Sequence, residues 1–347
     1  MIKFSDIFGD DKQKKGETPP DQKESDASSI NFSAIKDKKP PVKEPFKDLM
    51  QQAAETEELY NKGVLLADKI FNSDASLTKT VIADIKQFIG DLIVCVAGRD
   101  HWLLGCVFGS CSPQEVSPAV LNLVNVCVLS LELGMGLHYS QSRLLNLGLA
   151  AFLHDLGARS YRDMISQPKN FSDQEKEVVR NLVNKNPIVA SEMEQIQNDL
   201  SVIVFEIIKQ EREVIGSSKS VPGARNEEIA EYAQIIGLTD VYEALTHRRP
   251  YRDKNYTPVE ALKIILDNKK LFNPSVIKIF LERVGMYPQG TFVELNTREV
   301  ACVVRQNHKM PLCPIVRVVY DPEGNKVDKE REIDLSEGTK IYIISSI

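Results

Sequence analysis

The chain has 347 residues, with 43 basic against 49 acidic side chains and a formal net charge of −6 at neutral pH. Domains run to roughly 100–200 residues, so two or three are expected, and 42% hydrophobic content supplies at least one full core. The negative balance excludes nucleic acid as the main partner, because a phosphate backbone is met by a dense basic surface.

The apolar runs read as too short or too interrupted to span a bilayer, which takes about 20 consecutive apolar residues. No secretory leader is expected, since Met1–Asp11 holds Lys3, Asp6 and Asp10 and no long apolar stretch. Cys95, Cys106, Cys111, Cys127, Cys302 and Cys313 form no C-x-x-C pair and mostly sit in apolar stretches. Reduced thiols in a cytoplasmic protein are therefore expected.

Residues 1–45 contain Pro-Pro twice amid scattered Lys, Asp, Glu and Ser. Such a stretch buries too little area to offset chain entropy and reads as a disordered tail. The exception is Ile2–Phe8 at its tip, which has the makings of a short docking peptide on a tether. From Phe46 to Gly109 the pattern is helical: Leu59, Leu65, Leu66, Ile70 and Phe71 recur near helical spacing, as do Val81, Ile82, Ile85, Phe88, Ile89 and Leu92. Ser110–Pro118 is a connection. Ala119–Leu137 and Leu144–Leu156 are apolar on nearly every face, which places them at the centre of a helical bundle.

Ser172-Asp-Gln-Glu175 and Thr257-Pro-Val-Glu260 have the form of capping boxes, Asn273-Pro274 opens a further helix, and Gly285 closes it. After Tyr287-Pro288 the pattern changes to alternation. Thr291–Leu295, Glu299–Arg305, Ile315–Tyr320, Glu332–Leu335 and Lys340–Ile344 read as short strands, with a turn at Asp321–Gly324. The fold class is mainly α, a helical bundle with a small C-terminal β module. The divisions are a tail at 1–45, an N-terminal helical region at 46–110, a helical domain at 111–287 and the β module at 288–347.

Two clusters carry candidate chemistry. Leu149–Gly157 ends an apolar helix in His154-Asp155, with Gly157 where a C-cap belongs. A helix C-terminus is partially negative, and a nitrogen and an oxygen donor beside it suit a cation. A satisfied polar residue at a helix end explains His154 equally well. The second cluster is Ala230–Arg252, in which Ala233, Gly237, Asp240, Ala244 and His247 fall near one stripe. A core-facing Asp240 needs a partner or a metal. Arg249 and Arg252, with Arg248, stand at the helix end as phosphate anchoring requires. The plainer alternative is a solvated basic turn with Asp240 bonded to one arginine.

His154-Asp155-x-Gly157 followed by Asp240-Val-Tyr-Glu-Ala-Leu-Thr-x-x-Arg-Pro-Tyr-Arg252 resembles the HD superfamily of metal-dependent phosphohydrolases. It is closest to the HD-GYP branch, bacterial enzymes that hydrolyse cyclic di-GMP at a two- or three-metal centre. The resemblance runs from about Phe46 to the C-terminus and includes Tyr-Pro-x-Gly-Thr-x-Val-x-Leu at Tyr287–Leu295. It implies an HD helical bundle, a role in bacterial signal transduction, and a cyclic dinucleotide as ligand.

Carried over by position, the family's ligand set is depleted. Its first histidine corresponds to Asn122, the histidine of its His-Pro motif to Asn186, and its paired histidines to Glu211 and Arg212. The lysine after its His-Asp motif is Ala158, and the place of the Gly-Tyr-Pro signature falls in Gly216–Pro222. His154, Asp155 and Asp240 remain as metal ligands, with Glu211 as a further donor. His138 is expected at the surface, and His247 lies about 10 Å along the helix from Asp240 at 1.5 Å per residue.

A pair of ions about 3.5–4 Å apart needs far more donors than this, and Arg212 would repel a cation. No complete two-metal site is expected; at most one divalent ion (Fe, Mn or Zn) would bind. The expected protein is a degenerate HD-GYP-like scaffold or ligand-binding module with protein partners or self-association. The alternatives are a phosphohydrolase with an altered single-metal site and a cyclic dinucleotide sensor that does not cleave.

Overall fold

A computed structural model of the chain describes residues 45–72, 77–98, 102–109, 116–155, 227–249, 252, 254–307, 309–338 and 340–347. The tail with its docking peptide, the Ser172–Glu175 capping box, Gly157, Ala158, Asn186, Glu211, Arg212 and Gly216–Pro222 lie outside the described residues.

Helices come first in the chain. They are α1 (Pro45–Asn72), α2 (Lys79–Ala97), α3 (Trp102–Phe108), α4 (Pro118–Gly136), α5 (Gln141–Leu153), α6 (Glu227–Thr246), α7 (Pro258–Asp267) and α8 (Pro274–Arg283). Their starts follow the local chemistry. Thr78, Ser117, Ser140 and Thr257 each accept a hydrogen bond from a first-turn amide, and Thr257 with Glu260 completes a reciprocal capping box. Pro118, Pro258 and Pro274 occupy first-turn positions, where no backbone donor is lost.

The core of the bundle is α4, buried on every side from Leu123 to Gly134. Around it pack α1, α5, α6 and α8. Among the described residues α4 is the one helix long and apolar enough to cross a membrane, and 83% of its most apolar window is buried inside the protein. The expectation was of apolar runs too short or too interrupted to span a bilayer; α4 has the length, and the neighbouring helices occupy the faces a bilayer would meet. On α1 the buried face is Tyr60, Val64, Ala67, Ile70 and Phe71; the anticipated stripe holds at Ile70 and Phe71, while Leu65 is 71% exposed. Gly63 lets this helix close on α2, since a Cβ there would stand 2.2 Å from the ring of Phe88.

The C-terminal module is one antiparallel sheet in the order β4-β3-β2-β1-β5. Its strands are β1 (Phe292–Leu295), β2 (Val300–Arg305), β3 (Ile315–Tyr320), β4 (Lys326–Asp334) and β5 (Ile343–Ser346). Alternate residues Val293, Leu295, Ala301, Val303, Val316, Val318 and Ile333 form its own small core. Strand β4 starts six residues before the expected Glu332, because Lys326–Arg331 carries no apolar alternation and is held by pairing with β3. Strand β5 lies slightly later than Lys340–Ile344. The sheet meets the helices at Gly290, whose φ of 88° and lack of a side chain let its backbone approach the Gly105 Cα of α3.

Candidate functional site

Three helices converge on a buried polar cluster inside the bundle. The C-cap of α5 contributes His154, the C-terminal half of α6 contributes Asp240 and Glu243, and the second and third turns of α4 contribute Asn122 and Asn125. An apolar helix that ends in a polar pair must turn that pair toward partners, and α4 and α6 provide them.

His154 is buried, and its Nδ1 lies 2.7 Å from the carbonyl of Ala151. A carbonyl only accepts, so Nδ1 carries the proton and Nε2 is the nitrogen turned to Asp240 Oδ1, at 3.5 Å. Asp155 follows in the chain and is buried as well. Burial opposes the charge of Asp240, whose side chain is 25% exposed. The His154 imidazole beside it, the hydrogen bond from Asn122 and the charge of Arg249 nearby outweigh that cost and hold its carboxyl well below the usual carboxylate range.

Asn122 bridges two acids. Its Nδ2 donates to Asp240 Oδ1 at 3.0 Å and to Glu243 Oε2 at 2.6 Å. Only this orientation of the amide is allowed, because its oxygen would be repelled by both carboxylates. Glu243 is fully buried and also accepts from Asn125 Nδ2 at 3.1 Å and from Arg249. Burial disfavours its charge, yet Arg249, His247 and the two asparagine amides hold its carboxyl below the ordinary value. Asn125 in turn accepts from the hydroxyl of Tyr60 at 2.7 Å.

Arg249 therefore takes a partner the sequence did not assign to it. Its guanidinium lies on Glu243 and 3.5 Å from the carbonyl of Pro118, and the side chain is 1% exposed. Arg252 donates to the carbonyls of Ala244 and Leu245, which finishes the C-terminus of α6. His247 Nε2 lies 2.8 Å from the carbonyl of Val107, tying α6 to α3, and His138 is exposed in the turn after α4.

The structure thus brings His154 and Asp240 together, with Asn122 on the same carboxylate oxygen. Glu243, Asn125 and Tyr60 were not singled out as site residues from the sequence. Glu243 lies inside the Asp240 motif, and Asn125 inside the segment Asn122–Val126 that resembles the family's His-Ser-x-Asn-Val, so both were legible; Tyr60 has no such signal.

As a metal site the cluster provides one imidazole nitrogen and one carboxylate oxygen that converge. The neighbouring Asn122 presents N–H groups, which cannot ligate. Among the described residues no group of three or more His, Cys, Asp or Glu is placed to hold an ion. These residues do not fit a two-ion centre, and no step through a metal is derived.

Residues 114–276 match the family model described as HD domain, and residues 292–347 match the KOW domain associated with HD domain. The chain is 27% identical over 216 residues to the cyclic di-GMP phosphodiesterase PA4108 of Pseudomonas aeruginosa, covering 62% of this chain and 51% of that protein. It is 22% identical over 214 residues to the cyclic di-GMP phosphodiesterase PdeB of Borreliella burgdorferi, covering 61% of this chain and 55% of that protein. The chain thus aligns with about half the length of the curated relatives it matches. Two matched segments laid end to end, over a bundle that gathers His154 and Asp240 and a sheet that follows it, identify an HD domain followed by the KOW domain associated with it.

Proposed function

We propose that this protein is a degenerate HD-GYP-like module of bacterial signalling, which binds a ligand or a protein partner in place of hydrolysing a phosphodiester. The observation that carries this reading is the double hydrogen bond from Asn122 to Asp240 and Glu243. In the resemblance drawn above Asn122 stands where the family has its first histidine. An amide that donates to the carboxylates answers their charge with dipoles, where a bound cation would answer it with charge. Asn186 and Arg212 likewise stand where the family has imidazole donors, and Glu211 replaces another with a carboxylate. We take the functional divisions as a helical region at 46–110, the HD-GYP-like domain at 111–287 and the β module at 288–347.

Cyclic di-GMP is the ligand to try first, since both relatives are named for its hydrolysis. The test uses the full chain purified without chelators. Bound metals are measured by elemental analysis, and cyclic di-GMP turnover is followed with Mn²⁺ or Fe²⁺ added. The expected result is no stoichiometric metal and no turnover. Turnover that vanishes in Asp240→Ala would overturn the reading.

One observation favours a second reading, an altered site holding a single ion. His154 Nε2 and Asp240 Oδ1, 3.5 Å apart, are two donors aimed at one point. One equivalent of Fe, Mn or Zn that is lost in His154→Ala would support it. Calorimetry with cyclic di-GMP then separates a sensor, which gives heat without product, from a scaffold, which gives none.

A further inference from the structure

We infer that Tyr60, on the N-terminal helix α1, is a positioning residue for the His154–Asp240 site. It acts through a relay of buried hydrogen bonds. Tyr60 lies outside the matched HD segment, 54 positions before its first residue, 114, yet its hydroxyl completes the polar network inside that segment.

The relay has one consistent direction. Glu243 Oε1 can only accept, so Asn125 must present its NH₂ to it, at 3.1 Å. That leaves Asn125 Oδ1 to face Tyr60, whose hydroxyl donates to it at 2.7 Å. Tyr60 therefore fixes which way the Asn125 amide points. Asn125 and Asn122 hold the two oxygens of Glu243, at 3.1 and 2.6 Å, and the Nδ2 of Asn122 also reaches Asp240 Oδ1 at 3.0 Å. Tyr60, Asn125, Asn122 and Glu243 are each buried to within 1% of full coverage, so solvent does not readily stand in for a missing member.

Removing the Tyr60 hydroxyl frees the Asn125 amide to turn over. Glu243 then loses one of its donors and settles differently against Asn122. The orientation of Asn122 over Asp240 is the quantity that changes. Helix α1 is thereby a component of the site, and any partner that shifts α1 along its axis reaches Asp240 through this chain of contacts. The inference concerns how the site is held and stands whether or not the site hydrolyses a substrate.

The test reads the asparagine side-chain amides of the full, ¹⁵N-labelled chain by NMR, without added metal or nucleotide. The resonance pairs of Asn122 and Asn125 are identified by their loss in Asn122→Ser and Asn125→Ser. Tyr60→Phe keeps the ring and its packing, and is expected to move both pairs. Tyr232→Phe, another fully buried tyrosine bonded instead to Arg143, is expected to move neither. Asn125→Ser is also expected to move the Asn122 pair, which keeps the relay testable should Tyr60→Phe fail to fold. An Asn122 pair that stays in place in Tyr60→Phe overturns the role of Tyr60. A pair that stays in place in Asn125→Ser overturns the relay itself. A purely structural role for Tyr60 would lower the melting temperature and leave the Asn122 pair where it was.

Discussion

Glu243 and Arg249 form an ion pair with both side chains removed from water, at 0% and 1% exposure. Each desolvated charge is tolerable only because the other is present. Glu243→Gln or Arg249→Met alone is expected to destabilise the fold by about 3–5 kcal/mol, since it strands an uncompensated buried ion. The pair Glu243→Gln/Arg249→Met should cost clearly less than the sum of the two. Urea denaturation of the four proteins completes the cycle, and additive losses would refute the coupling.

The same carboxylate gives the stability a pH dependence of known sign. The Glu243 pKa is lowered in the folded protein from an ordinary 4.5. Its contribution is therefore fully present above that value and is lost as pH falls through the folded-state pKa. The stability gap between the native protein and Glu243→Gln should stay constant near neutrality and narrow on acidification below about 4.5. Denaturation midpoints measured across that range check it.

Asn122→Asp would place a third carboxylate between Asp240 and Glu243, in the position of an amide that now donates to both. A loss of about 3 kcal/mol or more at neutral pH is expected, from two lost bonds to charged acceptors and added repulsion. The new acid's folded pKa would lie above its unfolded one. Stability should therefore recover as pH falls toward the point where that acid is protonated, opposite in trend to the effect of Glu243. Thermal melts at two pH values distinguish the cases.

Two glycines in neighbouring helices should respond oppositely to alanine. At Gly63 a Cβ would meet the Phe88 ring at 2.2 Å, and that ring is buried and set edge-on against Phe152 at 5.6 Å. The overpacking cost of about 1–3 kcal/mol exceeds the gain in helix propensity, and the melting temperature should fall. At Gly90 no atom lies within 4 Å of the new Cβ. Gly90→Ala should raise stability by about 0.5–1 kcal/mol. Calorimetric melts of the two variants are the check.

Much of the bundle was legible because its signals are local. Apolar periodicity placed α2, α4 and α5 to within a few residues, and the Thr257 and Asn273-Pro274 signals placed the starts of α7 and α8. The Asp240 motif is long enough to mark the middle of the site by itself. What escaped depends on distant partners. Nothing near Tyr60 in the chain announces Asn125, 65 positions away, or that Asn125 faces Glu243 a further 118 positions on. The outward turn of Leu65 is set by which side α4 lies on, and α4 is nowhere near it in sequence. Arg249 looked like an anion anchor because a basic run at a helix end has that form, but its guanidinium is matched by an acid six positions back.

The burial of α4 has a bearing on how the chain is made. Its coat comes from α1, synthesised earlier, from α5, which emerges directly afterwards, and from α6 and α8, which both begin more than 90 positions beyond Gly136. On the ribosome this most apolar segment must wait for α6 and α8 while that intervening stretch is translated. Seconds of exposure at cellular elongation rates of about 5–20 residues per second make the nascent chain, rather than the finished protein, the species with greatest need of a chaperone.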